Sequence, residues 1–405
     1  MKQDQALKIL TSGSNVFLTG EPGSGKSYTV GIFVKWMDKI RREHAITAST
    51  GIAASHIDGV TIHWWSGIGI KRGLTEREAE ELAKKPYIFD RVKQTKTLII
   101  DEVSMIDAVT LDDVDAVLRH VHGNDRPFGG IQIVLVGDFF QLPPVSRDGA
   151  PAFAFQSESW KRADPRVCYL TEQHRQSDAT FLGILAAMRS GTVTDEMKDV
   201  LHGCQNEGEA TMLYTHNVDV DVINERELAK IQEKEKSYEM RESGDENVIK
   251  MLKRNCLSPE TLRIKKGAVV RFTRNDFNAG YVNGTIGKVV AFNECGPVVE
   301  LKNGSKVSPG RAEWTTKIKG IGSASIWQYP IKLAWAITVH KSQGMSLDSV
   351  SVDLSRTFEY GQGYVALSRV RSLDGLNLLG TNEKAFLMHP TIVEEDVKFR
   401  GIGNE

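Results

Sequence analysis

Short apolar runs alternate with amphipathic stretches along the chain up to about residue 172. Three runs predict buried strands: Asn15 to Thr19, Thr97 to Ile100 and Ile131 to Val136. Helical stretches lie between them, since Ser27 to Ile40 and residues 111 to 121 place apolar side chains at helical spacing. This alternation predicts an α/β fold, in which helices cover a mostly parallel sheet.

A second α/β cycle follows, and a β-rich segment interrupts it. Strands are predicted at Val167 to Leu170 and Thr211 to Tyr214, with one helix between them and another from Asn217 to Lys236. From about 237 to 330, short β-like pieces alternate with Asn-Gly turns, which predicts a small inserted barrel. Helix and strand alternation returns from Ile331. The predicted domains are therefore 1–172 and 173–405, with the insertion inside the second.

Composition and charge exclude only a few classes of function. The chain has 405 residues, of which 51 are basic and 52 acidic, so any nucleic-acid binding must come from local patches. Its four widely spaced cysteines form no Cys-x-x-Cys pair, which argues against a zinc site and against a disulfide framework. Because no apolar run has membrane-spanning length, we expect a cytoplasmic protein with no membrane partner.

Residues 20 to 27, GEPGSGKS, fit the phosphate-binding loop between a predicted strand and a predicted helix. The backbone amides of Gly23, Ser24 and Gly25 can face phosphate oxygens, because the glycines let the loop curl. Lys26 neutralises the β and γ charges, and the Ser27 hydroxyl suits magnesium. The predicted cofactors are ATP and Mg²⁺.

Two adjacent carboxylates, Asp101 and Glu102, end the strand that begins at Thr97. Asp101 suits a magnesium ligand, and Glu102 suits polarisation of the attacking water. Such a pair is often only a solvated turn or a helix cap. The phosphate loop favours the catalytic interpretation, because phosphoryl transfer needs both roles.

The stretch from Gly137 to Val145, GDFFQLPPV, follows a predicted buried strand. Gln141 then lies just past the strand end, where open α/β sheets bind ligands, and its amide can sense a terminal phosphate. If Phe140 and Pro143 contact DNA while Gln141 faces ATP, this segment would couple DNA binding to ATP hydrolysis. The alternative is a loop that merely ends a core strand.

Arg175 and Arg369 stand in the second predicted domain, where each can present a cation to the γ-phosphate. An arginine in that position contributes roughly 10³- to 10⁵-fold to turnover. For either residue alone, a surface salt bridge is the commoner role.

The ordered series of motifs resembles the PIF-like (petite integration frequency) family of superfamily 1 DNA helicases, and the match covers nearly the whole chain. The motifs that carry it are the phosphate loop, Thr47 to Ala54, Thr61 to His63, Asp101 to Met105, Arg126 to Gln132, Gly137 to Val145, Leu170 to Gln176, Thr338 to Gly344 and Tyr364 to Arg369. The resemblance implies two RecA-like domains, a wedge element at about 64–76 and an SH3-like insertion. It also implies 5′-to-3′ movement on single-stranded DNA.

The same resemblance assigns further residues to the nucleotide. It implies that Gln3, or Gln5 as the alternative, reads the adenine edge and that His174 lies against the base. Gly344 is assigned to the nucleotide site as well, because it belongs to the motif from Thr338 to Gly344.

A strand of DNA needs phosphate contacts and flat faces for its bases. The residues expected to hold it are Thr50, Gly51, His63, Trp64 and Trp65 on the first domain and His340, Lys341 and Ser342 on the second. Either histidine alone is more often a satisfied core residue. One of the two tryptophans can equally be packed in the core.

These features predict a monomeric ATP-dependent DNA helicase that acts on single-stranded DNA. Forked and structured DNA, including G-quadruplexes, are substrates that only the family resemblance implies. A translocase that displaces proteins or remodels RNA would use the same ATPase. A P-loop kinase for a small molecule fits the two arginines and the chain length poorly, and a binding module without turnover fits the intact Lys26, Asp101 and Glu102 poorly.

Overall fold

A computed structural model describes residues 1–403, apart from 58, 70, 145–151, 175, 177, 205–210, 216–219, 277, 282, 302, 319–321, 346 and 348. The side chains of residues 52, 55, 56, 254, 255, 317, 318, 341 and 402 also lie outside the described set. The chain divides into two compact units. Unit 1 comprises residues 1–177, 189–191 and 387–405, and unit 2 comprises 178–188 and 192–386.

Six strands and eight helices form the part of unit 1 that precedes residue 177. The strands are β1 Val16–Gly20, β2 His44–Ala48, β3 Val60–Thr61, β4 Thr97–Asp101, β5 Gln132–Val136 and β6 Arg166–Leu170. The helices are α1 Gln3–Thr11, α2 Lys26–Lys39, α3 Gly51–His56, α4 Ile62–Ser66, α5 Glu76–Ala83, α6 Pro86–Gln94, α7 Ala108–His122 and α8 Glu158–Ala163. Short 3₁₀ turns cover Val103–Met105, Pro127–Gly130 and Ala154–Gln156.

The six strands pair in the order β3-β2-β4-β5-β1-β6, and every pairing is parallel. All five residues of β1 and of β5 are buried, as expected for strands covered on both faces. Each predicted strand of this region is present to within about a residue, and the predicted helix-covered parallel sheet is confirmed.

The remaining elements follow in chain order. The strands are β7 Thr211–Tyr214, β8 Lys236–Glu239, β9 Arg241–Gly244, β10 Thr261–Ile264, β11 Val269–Phe272, β12 Ile286–Asn293, β13 Gly296–Leu301, β14 Lys306–Val307, β15 Ala312–Ile318, β16 Gly322–Gln328, β17 Ile331–Leu333, β18 Ala336–Thr338, β19 Val350–Leu354 and β20 Leu376–Thr381. The helices are α9 Ala179–Ser190, α10 Asp195–His202, α11 Val220–Lys230, α12 Glu246–Asn255, α13 Gln362–Leu367 and α14 Pro390–Ile402. Further 3₁₀ turns cover His340–Ser342, Leu373–Gly375 and Glu383–Phe386.

Unit 2 contains a second parallel sheet, in the order β18-β7-β19-β20. Its strands are separated in sequence by the β-rich insertion, which forms an antiparallel sheet in the order β14-β13-β12-β11-β17 with smaller sheets beside it. The β-rich insertion within an α/β domain is therefore confirmed.

The boundaries of the β-rich insertion differ from the predicted range of about 237–330. The helix predicted to reach Lys236 ends at Lys230, and β8 begins at Lys236. Strand β17 pairs with β11 in the register Val270↔Leu333, so the antiparallel sheet extends past residue 330. A short apolar run such as Ile331 to Leu333 fits either sheet, and only its pairing decides which.

Helix α12 was not expected inside a β-rich segment. Asp245 caps it by accepting the N–H groups of Asn247 and Val248 at 2.9 and 3.2 Å. Its buried face packs with Ala324 and Ile326 of β16. The helix therefore covers one face of the smaller antiparallel sheet.

The C-terminal helix α14 belongs to unit 1, although the sequence assigned all of 173–405 to the second domain. Phe399 of α14 lies 5.1 Å from Phe17 and 5.9 Å from Phe155, measured between ring centroids. Aromatic burial therefore determines where α14 packs, and chain order does not predict it. Among the described residues, no helix is both long and apolar enough to cross a bilayer.

Candidate nucleotide and DNA sites

The phosphate-binding loop joins β1 to α2 in the curled form that the glycines permit. Gly23 and Gly25 have φ of +87° and +88°, in the left-handed region. Lys26 donates from Nζ to the carbonyls of Gly20 and Glu21 at 2.8 and 3.0 Å. The buried Ser24 hydroxyl has no partner among the described residues. The loop therefore has the geometry of an anion-binding cradle.

Asp101 and Glu102 lie at the carboxyl end of β4. Asp101 accepts the Glu102 N–H at 2.8 Å, and Glu102 has a left-handed φ of +50°, which is uncommon for a residue with a side chain. Burial, and then the charge of Glu102, raise the pKa of Asp101 to about 7, although Lys26 acts in the opposite direction. Lys26, Ser27 and Asp101 fit a magnesium–triphosphate complex, because a bound cation would favour the ionised carboxylate.

Gln141 lies in a tight turn after β5. Its N–H donates to the Asp138 carbonyl at 3.0 Å, and the Asp138 carboxylate accepts the Phe140 N–H at 3.2 Å. Gln141 is buried, and its side-chain oxygen has no partner among the described residues. An unsatisfied buried amide oxygen is costly, which is typical of a group that waits for a ligand or water.

The two residues assigned to the base are neighbours beside the loop. Gln3 Nε2 lies 3.0 Å from His174 Nε2, and the His174 N–H donates to the Gly23 carbonyl at 3.0 Å. A Cβ at Gly25 would overlap the Gln3 carboxamide. The alternative, Gln5, instead accepts the Lys2 N–H at 2.9 Å and caps α1. The geometry therefore favours Gln3.

The nucleotide roles assigned to Arg175 and to Gly344 and Arg369 of unit 2 stay predictions. Arg369 is 1% exposed and donates to the Val365 and Met345 carbonyls at 2.8 and 3.4 Å and to the Ser368 hydroxyl at 2.8 Å. Arg175 lies outside the described residues. Gly344 is exposed with a φ of +78°.

On unit 1, the residues expected to hold DNA phosphates lie just past β2 and β3. Thr50 caps α3 by accepting the Ala53 N–H at 3.2 Å, and Gly51 is the first residue of that helix. Burial lowers the pKa of His63 by more than Asp107 raises it. His63 is therefore neutral at pH 7 and suits a phosphate contact that does not need a charge.

The two tryptophans have different environments. Trp65 is 5% exposed and belongs to the core, whereas Trp64 is half-buried. The Arg91 guanidinium lies 4.3 Å from the Trp64 ring centroid and donates to the carbonyls of both tryptophans at 2.6 Å. Only Trp64 therefore keeps a face for a base.

Phe140 and Pro143 are buried, and their DNA contacts stay predictions. The Phe140 ring is covered by the Arg189 guanidinium at 4.0 Å. An aromatic residue after a strand fits a core position as well as a surface one, which the sequence does not distinguish. Val145, the last residue of this motif, lies outside the described residues.

On unit 2, the His340–Ser342 turn has one accessible side chain among those described. His340 is half-buried, and burial lowers its pKa. Ser342 is fully buried and donates to the Val339 carbonyl at 2.7 Å, and its phosphate contact stays a prediction. The side chain of Lys341 lies outside the described set.

Comparison with known proteins identifies the family. Residues 3–199 match the model of the PIF1-like helicase family. Over 100% of its length, the chain is 40% identical to ATP-dependent DNA helicase Pif1 of Psychrobacter sp. (strain PRwf-1), and it covers 72% of that protein. The chain belongs to the PIF1-like helicase family. The suspected resemblance and the prediction of an ATP-dependent DNA helicase are thereby confirmed at the level of the family.

Other relatives of this PIF1-like helicase agree. ATP-dependent DNA helicase PIF1 of Xenopus laevis is 41% identical over 97% of the chain, which spans 63% of the frog protein. The crystal structure of Bacteroides sp. Pif1 with ADP-AlF4 is 31% identical over 99% of this chain and 97% of that one, with a TM-score of 0.86. Bacteroides Pif1 bound to single-stranded DNA is 32% identical over 100% and 98%, with a TM-score of 0.69.

The sequence did not predict the buried cluster around Arg189 in this PIF1-like helicase. Arg189 is 2% exposed and donates from Nη1 to both carboxylate oxygens of Asp138 at 2.9 and 2.8 Å. The available signal was an arginine near the end of the apolar stretch Phe181 to Met188. Asp138 belongs to the same tight turn as Gln141, and it accepts the Phe140 N–H with its carboxylate and the Gln141 N–H with its carbonyl.

The raised pKa of Asp101 predicts a stability cost with a defined pH dependence. The ordinary pKa is 3.8 and the folded pKa about 7, so the folded state binds more protons between these values and stability falls as pH rises through them. We expect Asp101→Asn to raise the Tm at pH 8 by at least about 2 °C. The gain should shrink towards pH 5, measured by differential scanning calorimetry.

The matched control is Asp38→Asn, since the Asp38 side chain is 65% exposed. Its Tm should follow that of the parent at both pH values. An Asp101→Asn effect of equal size at pH 5 and pH 8 would contradict the assignment of the cost to ionisation.

Proposed function

We propose that this chain hydrolyses magnesium–ATP on unit 1 and uses it to move 5′-to-3′ along single-stranded DNA and separate duplexes. The observation that carries the proposal is the grouping of the phosphate loop, Asp101, Glu102 and Gln141 on one sheet edge of a PIF1-like helicase. The direction of movement rests on the family resemblance, because no contact in the structure specifies it.

The nucleotide part of the proposal assigns one role to each group. The loop amides and Lys26 would hold the phosphates, and Ser27 and Asp101 would hold Mg²⁺, which when bound supplies charge stabilisation to the transferred phosphoryl group. Glu102 orients water at the end of β4. Gln3 and His174 face the base.

DNA contacts are proposed for the accessible members of the predicted set. His63 on unit 1 and His340 on unit 2 are half-buried and neutral, which suits phosphate contacts in a chain of net charge −1. Thr50 and Gly51 add backbone and hydroxyl groups, and Trp64 offers a ring to a base. The solved Bacteroides Pif1 bound to single-stranded DNA supports this partner.

Forked DNA is the proposed substrate, and G-quadruplex DNA is a further one that rests on the family resemblance. A solved Pif1 structure concerns unwinding at forked duplex DNA by two coordinating Pif1 helicases. We therefore propose that a monomer of this chain is active on single-stranded DNA and that the number of copies at a fork is set by the substrate.

The proposed function predicts ATP hydrolysis that single-stranded DNA stimulates. Lys26→Ala should lower the stimulated kcat by at least about 100-fold, because a preorganised charge at the phosphates is lost.

The logarithm of the DNA affinity should fall as the logarithm of the salt concentration rises, with a slope of about −0.7 for each phosphate contact. A forked duplex with a 5′ tail should be unwound faster than one with a 3′ tail.

Each of these assays can contradict the proposal. Parental hydrolysis by Lys26→Ala would refute the nucleotide site, and preference for the 3′ tail would refute the direction. Stimulated hydrolysis without strand separation on either fork would favour the translocase.

Gln141 is proposed to couple DNA binding to hydrolysis. Gln141→Ala should bind single-stranded DNA as tightly as the parent, because the Gln141 side chain is buried. DNA stimulation of kcat should fall by about 10-fold or more, by loss of one aligned amide. Fluorescence anisotropy and steady-state hydrolysis measure the two quantities, and wild-type stimulation would refute the coupling.

Trp64 is proposed as part of the wedge or its border. Trp64→Ala should reduce unwinding of a 5′-tailed fork by more than it reduces stimulated hydrolysis, since one stacked base is worth roughly 1–3 kcal/mol. Trp64→Phe is the matched control, because it keeps a stacking face. Equal loss of unwinding and hydrolysis in Trp64→Ala would contradict this role.

A further inference from the structure

Helix α14 brings a cation to the phosphate-binding loop from the far end of the sequence. Arg400 Nη2 lies 3.9 Å from Glu21 Oε1, and Gln173 Nε2 donates to the other carboxylate oxygen at 3.1 Å. Glu21 is the second residue of the loop, and its carbonyl accepts from Lys26 Nζ. The Glu21 carboxylate is therefore held at a fixed place beside the cradle.

Arg400 is itself held in position. Its Nε donates to Asp396 Oδ2 at 2.7 Å, one turn earlier on α14, and its guanidinium lies 4.9 Å from the Tyr169 ring centroid. The Tyr169 hydroxyl donates to Asp396 Oδ1 at 3.1 Å. One hydrogen bond and a cation–π contact thus limit the rotamers of the Arg400 side chain, which is 47% exposed, and the Tyr169 hydroxyl in turn holds Asp396.

The same cluster continues to the turn that carries Gln141. Arg189 Nη2 donates to the Tyr169 hydroxyl at 2.8 Å and lies 3.5 Å from Asp396 Oδ1. Its Nη1 binds both carboxylate oxygens of Asp138, which is 1% exposed. The buried pair supports the turn, because the Asp138 carboxylate also accepts the Phe140 N–H, while the Asp138 backbone carbonyl accepts the Gln141 N–H.

A carboxylate in a phosphate-binding loop is an electrostatic liability. Glu21 repels a triphosphate bound in the cradle, and a cation close to Glu21 offsets that repulsion. Arg400 supplies such a cation 3.9 Å from one carboxylate oxygen, and Gln173 donates a hydrogen bond to the other. Loss of Arg400 should therefore weaken the binding of ATP.

We propose that Arg400 is a positioning residue for ATP, which holds the Glu21 carboxylate and offsets its charge beside the phosphates and, through Asp396 and Tyr169, connects the phosphate-binding loop to the Arg189–Asp138 pair. This inference rests on the proposed ATPase function. It makes the C-terminal helix α14 a part of the nucleotide site.

The test compares KM with kcat for ATP at saturating single-stranded DNA. Arg400→Ala should raise KM for ATP roughly threefold to fivefold, the factor expected for a partly exposed ion pair, and leave kcat within about twofold. Arg400→Lys should recover part of the loss. Adding Glu21→Gln to Arg400→Ala should return KM to near the parental value, because the repelling charge is gone.

Lys398→Ala is the matched control. Lys398 lies on the same helix and forms a comparable surface ion pair with Glu395 at 2.7 Å, so its loss should leave KM unchanged. A parental KM in Arg400→Ala overturns the inference. So does a raised KM that Glu21→Gln fails to restore, since Arg400 would then act on the fold alone, and thermal melting of each variant measures that effect separately.

The Lys26→Ala variant separates this inference from the proposed function. If Lys26→Ala hydrolyses ATP normally, the ATPase assignment itself fails. If Lys26→Ala is inactive and Arg400→Ala keeps the parental KM, only the role of Arg400 fails.

Discussion

Parallel pairing of β4, β5 and β1 is the constraint on which the nucleotide site depends. The registers Ile100↔Leu135 and Leu18↔Val136 bring the carboxyl ends of the three strands level on one sheet edge. Parallel strands must all point the same way, so the residues that follow each strand collect at that edge. The phosphate loop, the Asp101–Glu102 pair and the Gln141 turn meet there although more than a hundred residues of sequence separate the first from the last.

Charge burial is the second organising feature of unit 1. Lys26 and Asp101 influence each other across the sheet edge, and Arg189 and Asp138 form a fully buried pair a short distance along the chain from Gln141. Removing one partner of a buried pair leaves an uncompensated charge, so these groups hold each other in place. The site is rigid where it must be preorganised.

Sequence reasoning found the chemistry and missed the packing. The phosphate loop and Asp101 were predictable because their residue types and spacing are required by phosphate and metal binding. The burial of Trp65 and Phe140 was not predictable, since an aromatic residue beside a motif fits a surface and a core equally well. Helix α12 does have a local signal, the Asp245 cap followed by apolar residues at helical spacing, which the β-rich surroundings obscured. The place of α14 and the Arg189 cluster depend on contacts between distant segments, which no local pattern records.

The link between β17 and β18 has a mechanical consequence. Only residues 334 and 335 separate the last strand of the antiparallel sheet from a strand of the parallel sheet, and His340 follows two residues after that strand ends. Two residues span at most about 7 Å and leave almost no slack. A load applied to the inserted sheet is therefore transmitted along the backbone to the His340 turn instead of being absorbed by a flexible tether.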